Sequence, residues 1–358
     1  MNRRLFFETL GGAAAIPALA RSGPPTKLGI DSYSIRGFRW KAIQLLDYAA
    51  SLKLDIVQVS HGDFESFEEP YLRKVKDHAA QLGIEVEPGF GCFCPKSKGW
   101  NTRQGDPAQY LLHAIRAAKT LGSPSLKVFM GNSADRYGPT PIHALMETSV
   151  KVLRSVRAQA LDAGVKIAIE NHGDMQARET KILIEEAGKD FVGNNFDSGN
   201  PAMLMEDPLL ALETLGPYVV TSHMRDSIVY EHPRGAAVQW VALGDGVVDF
   251  PRLMARFREL CPREPFQLEI LTGSPPRVLP YLETDFWKAF PAMPAAELAR
   301  FLALARNGHP LMSGMMIAQP GKQPPEYEAA LKLQQRVDLE RSLEYAKKTL
   351  NAGVRWRG

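Results

Sequence analysis

A chain of 358 residues is long enough for one large α/β domain with a sizeable core, and length alone would also allow two. Its 45% hydrophobic and 23% charged content is that of an ordinary globular protein, and a net charge of +3, evenly spread, gives no footprint for nucleic acid. Cys92, Cys94 and Cys261 are too few for a disulfide framework, and no second pair completes a structural zinc site, so they read as buried thiols.

The N-terminus carries an address. Asn2, Arg3 and Arg4 precede Leu5, Phe6 and Phe7, and a small-residue apolar run ends in Ala18-Leu19-Ala20. A basic start, a short apolar stretch and an A-x-A end make a cleavable signal over residues 1–20, too short for a membrane span. The paired arginines resemble the twin-arginine export signal, which implies transport of an already folded protein. Residues 21–26 read as a linker, and the mature chain, starting near Arg21, is expected outside the cytoplasm, in the periplasm. No other stretch is long and apolar enough to cross a bilayer.

Beyond the linker, residues 27–35 read as a first strand and residues 38–54 as an amphipathic helix. A second strand over 55–61 is followed by a helix over 69–82 that Gly83 stops. The third strand, 84–91, leads into a long loop with Trp100, and Pro107 opens a third helix that ends at Gly122. The fourth strand is expected at 125–131 and a long helix at 142–163. Strands at 165–171, 191–197 and 218–224 alternate with helices at 180–188 and 207–215. A helix over 250–261 precedes the last strand, 266–270.

Eight short apolar strands separated by helical patterns are the grammar of parallel sheet with right-handed crossovers. In a chain of this size that predicts a closed (β/α)8 TIM barrel. An open doubly wound sheet is less suitable, because no phosphate-gripping glycine pattern follows the first strand. Two segments exceed the plan. Residues 227–244 are longer than an ordinary βα loop and carry Glu231, His232, Arg234 and Trp240. Residues 274–325 are rich in Pro, Met and aromatics with one helix at 294–307, and read as an insertion over the barrel mouth before a final outer helix from Pro325.

Four polar side chains stand at or near the ends of strands five to eight: Glu170, Asp197, His223 and Glu269. Adjacent strand ends of a barrel converge on one mouth, so the four can face a common point. Three carboxylates and an imidazole form a hard, oxygen-rich site for one divalent ion, suiting Mn²⁺, Mg²⁺ or Co²⁺ above a thiolate-type zinc site, with Zn²⁺ still allowed.

These segments carry a specific resemblance. Ile169-Glu170-Asn171-His172, Phe196-Asp197-Ser198-Gly199-Asn200, Ser222-His223-Met224-Arg225-Asp226, Leu243-Gly244-Asp245-Gly246 with Val248-Asp249-Phe250, and Leu268-Glu269-Ile270 resemble the xylose-isomerase-like TIM-barrel superfamily of sugar isomerases and epimerases, which also contains endonuclease IV. The resemblance covers residues 27–270 and the final helix. It implies that Glu170, Asp197, His223 and Glu269 bind one divalent metal, Mn²⁺ first among the candidates, and that Glu170 and Glu269 double as an acid/base pair. One carboxylate would remove a proton beside a metal-polarised carbonyl, giving an enediolate, and the other would return it.

Side chains two residues on from an inward-facing one share its face, which adds His172 and Arg225 to the expected lining. Asn200 stands where many members of the superfamily carry a substrate-contacting histidine. His61, Lys127 and Trp100 are further candidates for sugar contacts. The expected function is thus a metal-dependent isomerase or epimerase of a neutral sugar or keto-sugar. A lyase or dehydratase of an oxidised sugar or keto-glycoside is the alternative. An endonuclease IV-like phosphodiesterase needs ligand histidines that Asn200 and the ends of strands three and four do not supply. A carbohydrate partner, no nucleic acid, no membrane span in the mature protein and an open question of homo-oligomerisation complete the expectation.

Overall fold

The structure, a computed structural model, describes residues 25–319 and 321–357. The expected signal and most of the linker lie outside the described residues. Among these, no helix is long and apolar enough to cross a membrane.

Eight parallel strands form the barrel: β1 (Leu28–Asp31), β2 (Ile56–Ser60), β3 (Glu85–Cys92), β4 (Ser125–Phe129), β5 (Lys166–Glu170), β6 (Val192–Asp197), β7 (Val219–His223) and, after a hairpin, β10 (Phe266–Leu268). Their order is β10-β1-β2-β3-β4-β5-β6-β7. A parallel bridge between Met224 and Leu268 nearly closes the ring, with Met224 N–H donating to Gln267 O at 2.6 Å and Glu269 N–H to Met224 O at 3.1 Å. Both faces of most strands are buried, as a parallel sheet wrapped by helices requires. The crossover helices follow the sequence signals. Asp106 caps the helix Pro107–Leu121 by accepting from Gln109 N–H at 2.9 Å, and Gly122 ends it at φ 78°, a left-handed conformation that glycine adopts without Cβ strain.

The local differences from expectation have local causes. The first strand ends at Asp31 rather than Ile35, because the Asp31 carboxylate accepts from Tyr33 N–H at 2.7 Å and starts a 3₁₀ turn over Ser32–Phe38. The helix expected over 142–163 is two helices, Ile142–Ser155 and Arg157–Ala163, divided at Val156 (φ −111°, ψ 9°). All three cysteines are buried and unpaired.

The barrel interior below the mouth is polar rather than aliphatic. Glu87 accepts from Gln58 Nε2 (2.9 Å), Gln267 Nε2 (2.8 Å), Thr221 Oγ1 (2.7 Å) and Ser125 Oγ. Buried polar groups cost little only when so partnered, and this network fixes the orientation of Gln58 beneath the mouth.

Residues 226–241 form an antiparallel hairpin, β8 (Asp226–His232) and β9 (Gly235–Val241), joined by Pro233 and Arg234 and extended by β11 (Arg277–Leu279). Its apolar face builds a second core with Met203, Met205, Phe286, Phe290 and Phe301, the last from the helix Ala295–Asn307. The long helix Pro325–Lys348 packs against the 3₁₀ turn after β1, where Gln335 Oε1 accepts from Gly37 N–H at 2.9 Å.

Candidate active site

β5, β6 and β7 end on Glu170, Asp197 and His223, and Glu269 follows the last residue of β10. One ligand-type atom from each lies within 4.8 Å of all the others, and all four residues are buried. The strand register explains this: Glu170 stands beside Asn195 and Asp197 beside His223, so neighbouring strand ends deliver their side chains to one level.

Each of these side chains is held from behind. Asp197 Oδ1 accepts from Gly199 N–H (2.7 Å) and Asn200 N–H (2.8 Å), and its own N–H donates to Asn171 Oδ1 at 2.8 Å. Glu170 pairs with Lys127 Nζ at 2.8 Å and accepts from Asn200 Nδ2 at 3.2 Å. Arg225, wholly buried, bridges Asp197 and Glu269. Its guanidinium lies 4.6 Å from the Trp240 ring, and Trp240 Nε1 donates to Gly199 O at 3.2 Å. A side chain at Gly199 would collide with Arg225, so this glycine is required for the close approach.

His223 shows why the site calls for a cation. Its Nε2 is 2.7 Å from Gln58 Oε1, an acceptor because the Gln58 amide nitrogen donates to Glu87. Nε2 therefore carries the proton, and Nδ1 faces Glu269 Oε2 at 3.4 Å and Glu170 Oε1 at 3.6 Å without a hydrogen bond. A lone pair aimed between two carboxylates is repelled unless a proton or a metal ion stands there. Burial would lower the His223 pKa, but Glu269 and Glu170 outweigh it and push it up to about 10.

The carboxylates report the same shortage of positive charge. Glu170, Asp197, Glu269 and neighbouring Asp31 crowd together with Lys127 and Arg225 as the only permanently charged cations beside them among the described residues, so further positive charge, a proton or a metal ion, is favoured there. Burial pushes Asp31 up to about 7 and Asp197 up to about 6, against the pull of His223 and of Arg225 respectively. For Glu170 and Glu269 burial is again the largest influence, but cations overcome it. Lys127, then His223, holds Glu170 well below the usual range, and Arg225, then His223, holds Glu269 at about 2. The donor set and the orphaned Nδ1 fit a divalent cation.

A cavity of about 420 Å³ opens over these groups. Glu170, Glu269, Arg225, Lys127, His172 and His61 line it, together with Tyr33 and Trp240. His172 stacks on Phe129 (4.6 Å, 23°) and its Nδ1 is fixed 2.7 Å from Gly131 O. Two expected contacts stand outside the lining. Asn200 is buried behind Glu170, and Trp100 packs edge-on against Tyr110 at 5.5 Å. Three residues that sequence reading missed matter here: Asp31, 3.6 Å from His223 Nε2, Gln58, and Trp240 as the stacking partner of Arg225. The signal for Gln58 was an amide in the middle of an otherwise apolar strand. Asp226, by contrast, is architectural: it accepts from the N–H groups of Ser227, Gly244, Gly246 and Val248, tying the Leu243–Gly246 turn to the hairpin.

The chain is 28% identical over 233 residues to an uncharacterised protein, YihM of Escherichia coli K12, covering 61% of this chain and 68% of that protein. A D-psicose 3-epimerase crystallised in the presence of D-fructose shares the fold at a TM-score of 0.59 and 16% identity, over 91% of this chain and all of the other. A barrel protein of Mycobacterium smegmatis in complex with magnesium matches at a TM-score of 0.55 and 14% identity, over 78% of this chain and 97% of the other. A family model described as xylose isomerase-like TIM barrel matches residues 46–290, which span seven of the eight barrel-strand ends with all four clustered side chains, and the chain belongs to that family.

Proposed function

We propose that the protein is a divalent-metal-dependent isomerase or epimerase of a neutral sugar or keto-sugar, with Glu170, Asp197, His223 and Glu269 holding the ion and Glu170 and Glu269 moving the proton. The observation that carries this reading is the pair of ionised glutamates, both lining the cavity, within 4.8 Å of each other and of an unpaired imidazole nitrogen.

A divalent ion bound there supplies polarisation of a substrate carbonyl and its neighbouring hydroxyl, which makes the intervening C–H more acidic. The protein's own groups do the rest. Glu269 is the more accessible glutamate, with 9% of its side chain exposed against 1% for Glu170, so it removes the proton and leaves an enediolate. Glu170, anchored by Lys127 and Asn200, takes up a proton from solvent and delivers it from the β5 side, while Glu269 releases to solvent the proton it removed. Lys127 Nζ, whose pKa is raised by Glu170 and Glu269 against burial, also balances charge that develops on substrate oxygens. Trp240 and the Phe129–His172 stack wall the reaction from water.

Two features support a non-phosphorylated substrate. The lysine and arginine that line the cavity are already paired with carboxylates, so neither is arranged for a phosphate. An exported enzyme, as the Arg3–Arg4 segment suggests, also meets free sugars and glycosides rather than sugar phosphates. Among the described residues a single cluster has metal-ligand geometry, which supports one ion over the three-metal chemistry of a phosphodiesterase.

The test is incubation of the Mn²⁺-loaded protein in D₂O with a panel of ketoses and 3-keto-glycosides, followed by NMR. Deuterium entering the carbon beside the carbonyl, with return of an isomer, is the expected result. Deuterium uptake with loss of a leaving group would mark a lyase instead. Absence of exchange on every sugar from metal-loaded protein would overturn the enolising reading.

A further inference from the structure

The clustered ligands occupy one side of the cavity only. β5, β7 and β10 bring Glu170, Arg225 and Glu269 to it, whereas the ends of β1 and β2 bring Tyr33, Ser60, His61 and Gly62. That second side is built of flat rings and absent side chains. Tyr33 is 47% exposed and stands on the 3₁₀ turn that Asp31 caps, with the Arg36 guanidinium 4.8 Å from its ring. His61 is held by stacking on Phe67 (4.7 Å) and an edge contact with Phe90 (5.1 Å). Burial, then the neighbouring His113, lowers its pKa, so it meets a ligand as a neutral imidazole that can both donate and accept.

Gly62 gives the sharpest clue. Its backbone is not in the left-handed region, so no conformational need selects glycine, and a Cβ built there would meet nothing within 4 Å. Lys41 Nζ holds its carbonyl at 2.8 Å, so the backbone beside this gap is anchored. Glycine here serves space. The cavity volume of about 420 Å³ is that of a small-molecule site, and its lining takes in Tyr33 and Gly62 as well as the carboxylates.

We propose that this side is a second subsite and that the substrate is a glycoside whose ring at the clustered carboxylates keeps a free or latent carbonyl, as in a keto-glycoside or a reducing disaccharide. One sugar ring lies at the clustered carboxylates, and a second ring, joined through a glycosidic oxygen, lies between Tyr33 and His61 above Gly62. The Tyr33 face suits the apolar C–H face of a pyranose or an aryl ring. Ser60 and His61 suit hydroxyl groups at the edge of a second sugar. This assignment rests on the carbohydrate reading above and narrows it to substituted sugars.

The experiment is calorimetric titration of the full-length, Mn²⁺-loaded protein with aldo- and ketohexoses, with disaccharides built from them and with their phenyl glycosides. The expected result is that a disaccharide or phenyl glycoside binds at least tenfold more tightly than its parent monosaccharide. Tyr33→Ala should cut that advantage by about three- to tenfold, the scale of a lost ring contact. Gly62→Leu, which fills the gap, should cut it tenfold or more. Circular dichroism and Mn²⁺ titration of each variant establish that the barrel and its ligands are intact. An advantage confined to disaccharides identifies the second ring as a sugar; one shared by phenyl glycosides identifies an apolar aglycone face. Monosaccharides that bind as tightly as every glycoside, or an advantage that survives both substitutions, would overturn the subsite and leave the enolising reading standing. No binding of any carbohydrate would overturn both.

Discussion

Two of the regions that bury carboxylates hold them in opposite states. At the barrel mouth Glu170 and Glu269 are kept ionised, the first by Lys127 and His223, the second by Arg225 and His223. Next in sequence to the second core's Met205, Glu206 receives, among the described residues, only the Ala177 N–H, at 2.9 and 3.1 Å, and burial pushes its carboxyl up to about 8. The difference shows that burial by itself neutralises an acid in this protein. Ionised acids at the mouth require buried cations to hold them, an arrangement that costs stability to build and that a purely structural site has no use for.

The largest effect that sharpens the contrast is loss of a site acid. Glu170→Gln keeps the shape and the Asn200 neighbour but removes the charge opposite Lys127. Deuterium exchange into substrate should fall by about 10²–10⁴-fold, the range for a positioned acid or base. Gln at 206, where the native carboxyl is already neutral at pH 7, should leave exchange within the error of the assay. Equal losses at 170 and 206 would mean that both substitutions act through folding.

Next in size is the ion itself. If the charge deficit at the mouth is filled by a divalent cation, Mn²⁺ at about a hundred times its dissociation constant should stabilise the fold by about 2.7 kcal/mol. Thermal denaturation with Mn²⁺ and then with excess chelator reads this directly. Unchanged melting in both, with the four ligands intact, would count against the metal. Gln58→Leu comes third: it removes the acceptor that sets the His223 tautomer, while Glu87 keeps its bonds from Gln267 and Thr221. Metal affinity should weaken by about 10–100-fold in a competitive titration, as for other partners behind a ligand histidine.

The division between what could and could not be read beforehand follows from chemistry and distance. Glu170, Asp197, His223 and Glu269 were legible because each ends an apolar run and spacing of about one βα unit gives strand ends a common destination. Gln58 and Glu87 were not, because their partners lie across the barrel interior and alternation within one strand cannot name them. The hairpin over 226–241 was hidden by its turn: Pro233-Arg234 lacks the Asn-Gly type of signal that marks two-residue loops. With it went the stacking of Trp240 on Arg225. Asn200 is a candidate through the resemblance and Trp100 through its ring; the first packs behind Glu170 and the second against Tyr110, contacts that lie across the fold and that sequence spacing does not carry.

The smallest predicted effect concerns Glu206 and tests the other side of the comparison. Its folded pKa of about 8 lies above the ordinary 4.5 of a free glutamate, with burial the largest cause and Glu179 and Glu297 adding to it. Between those values the folded protein holds a proton that the unfolded chain releases. The contribution is therefore fully present below about pH 4.5 and is lost as pH rises through about 8, with a slope of up to about 1.4 kcal/mol per pH unit. Glu206→Gln, which has no proton to lose, should remove that part of the slope, so that urea midpoints of variant and parent diverge from pH 5 to pH 8 in favour of the variant. Parallel midpoints across that range would show that Glu206 is ionised in the fold, and that buried acids here stay charged without the cations that the mouth supplies.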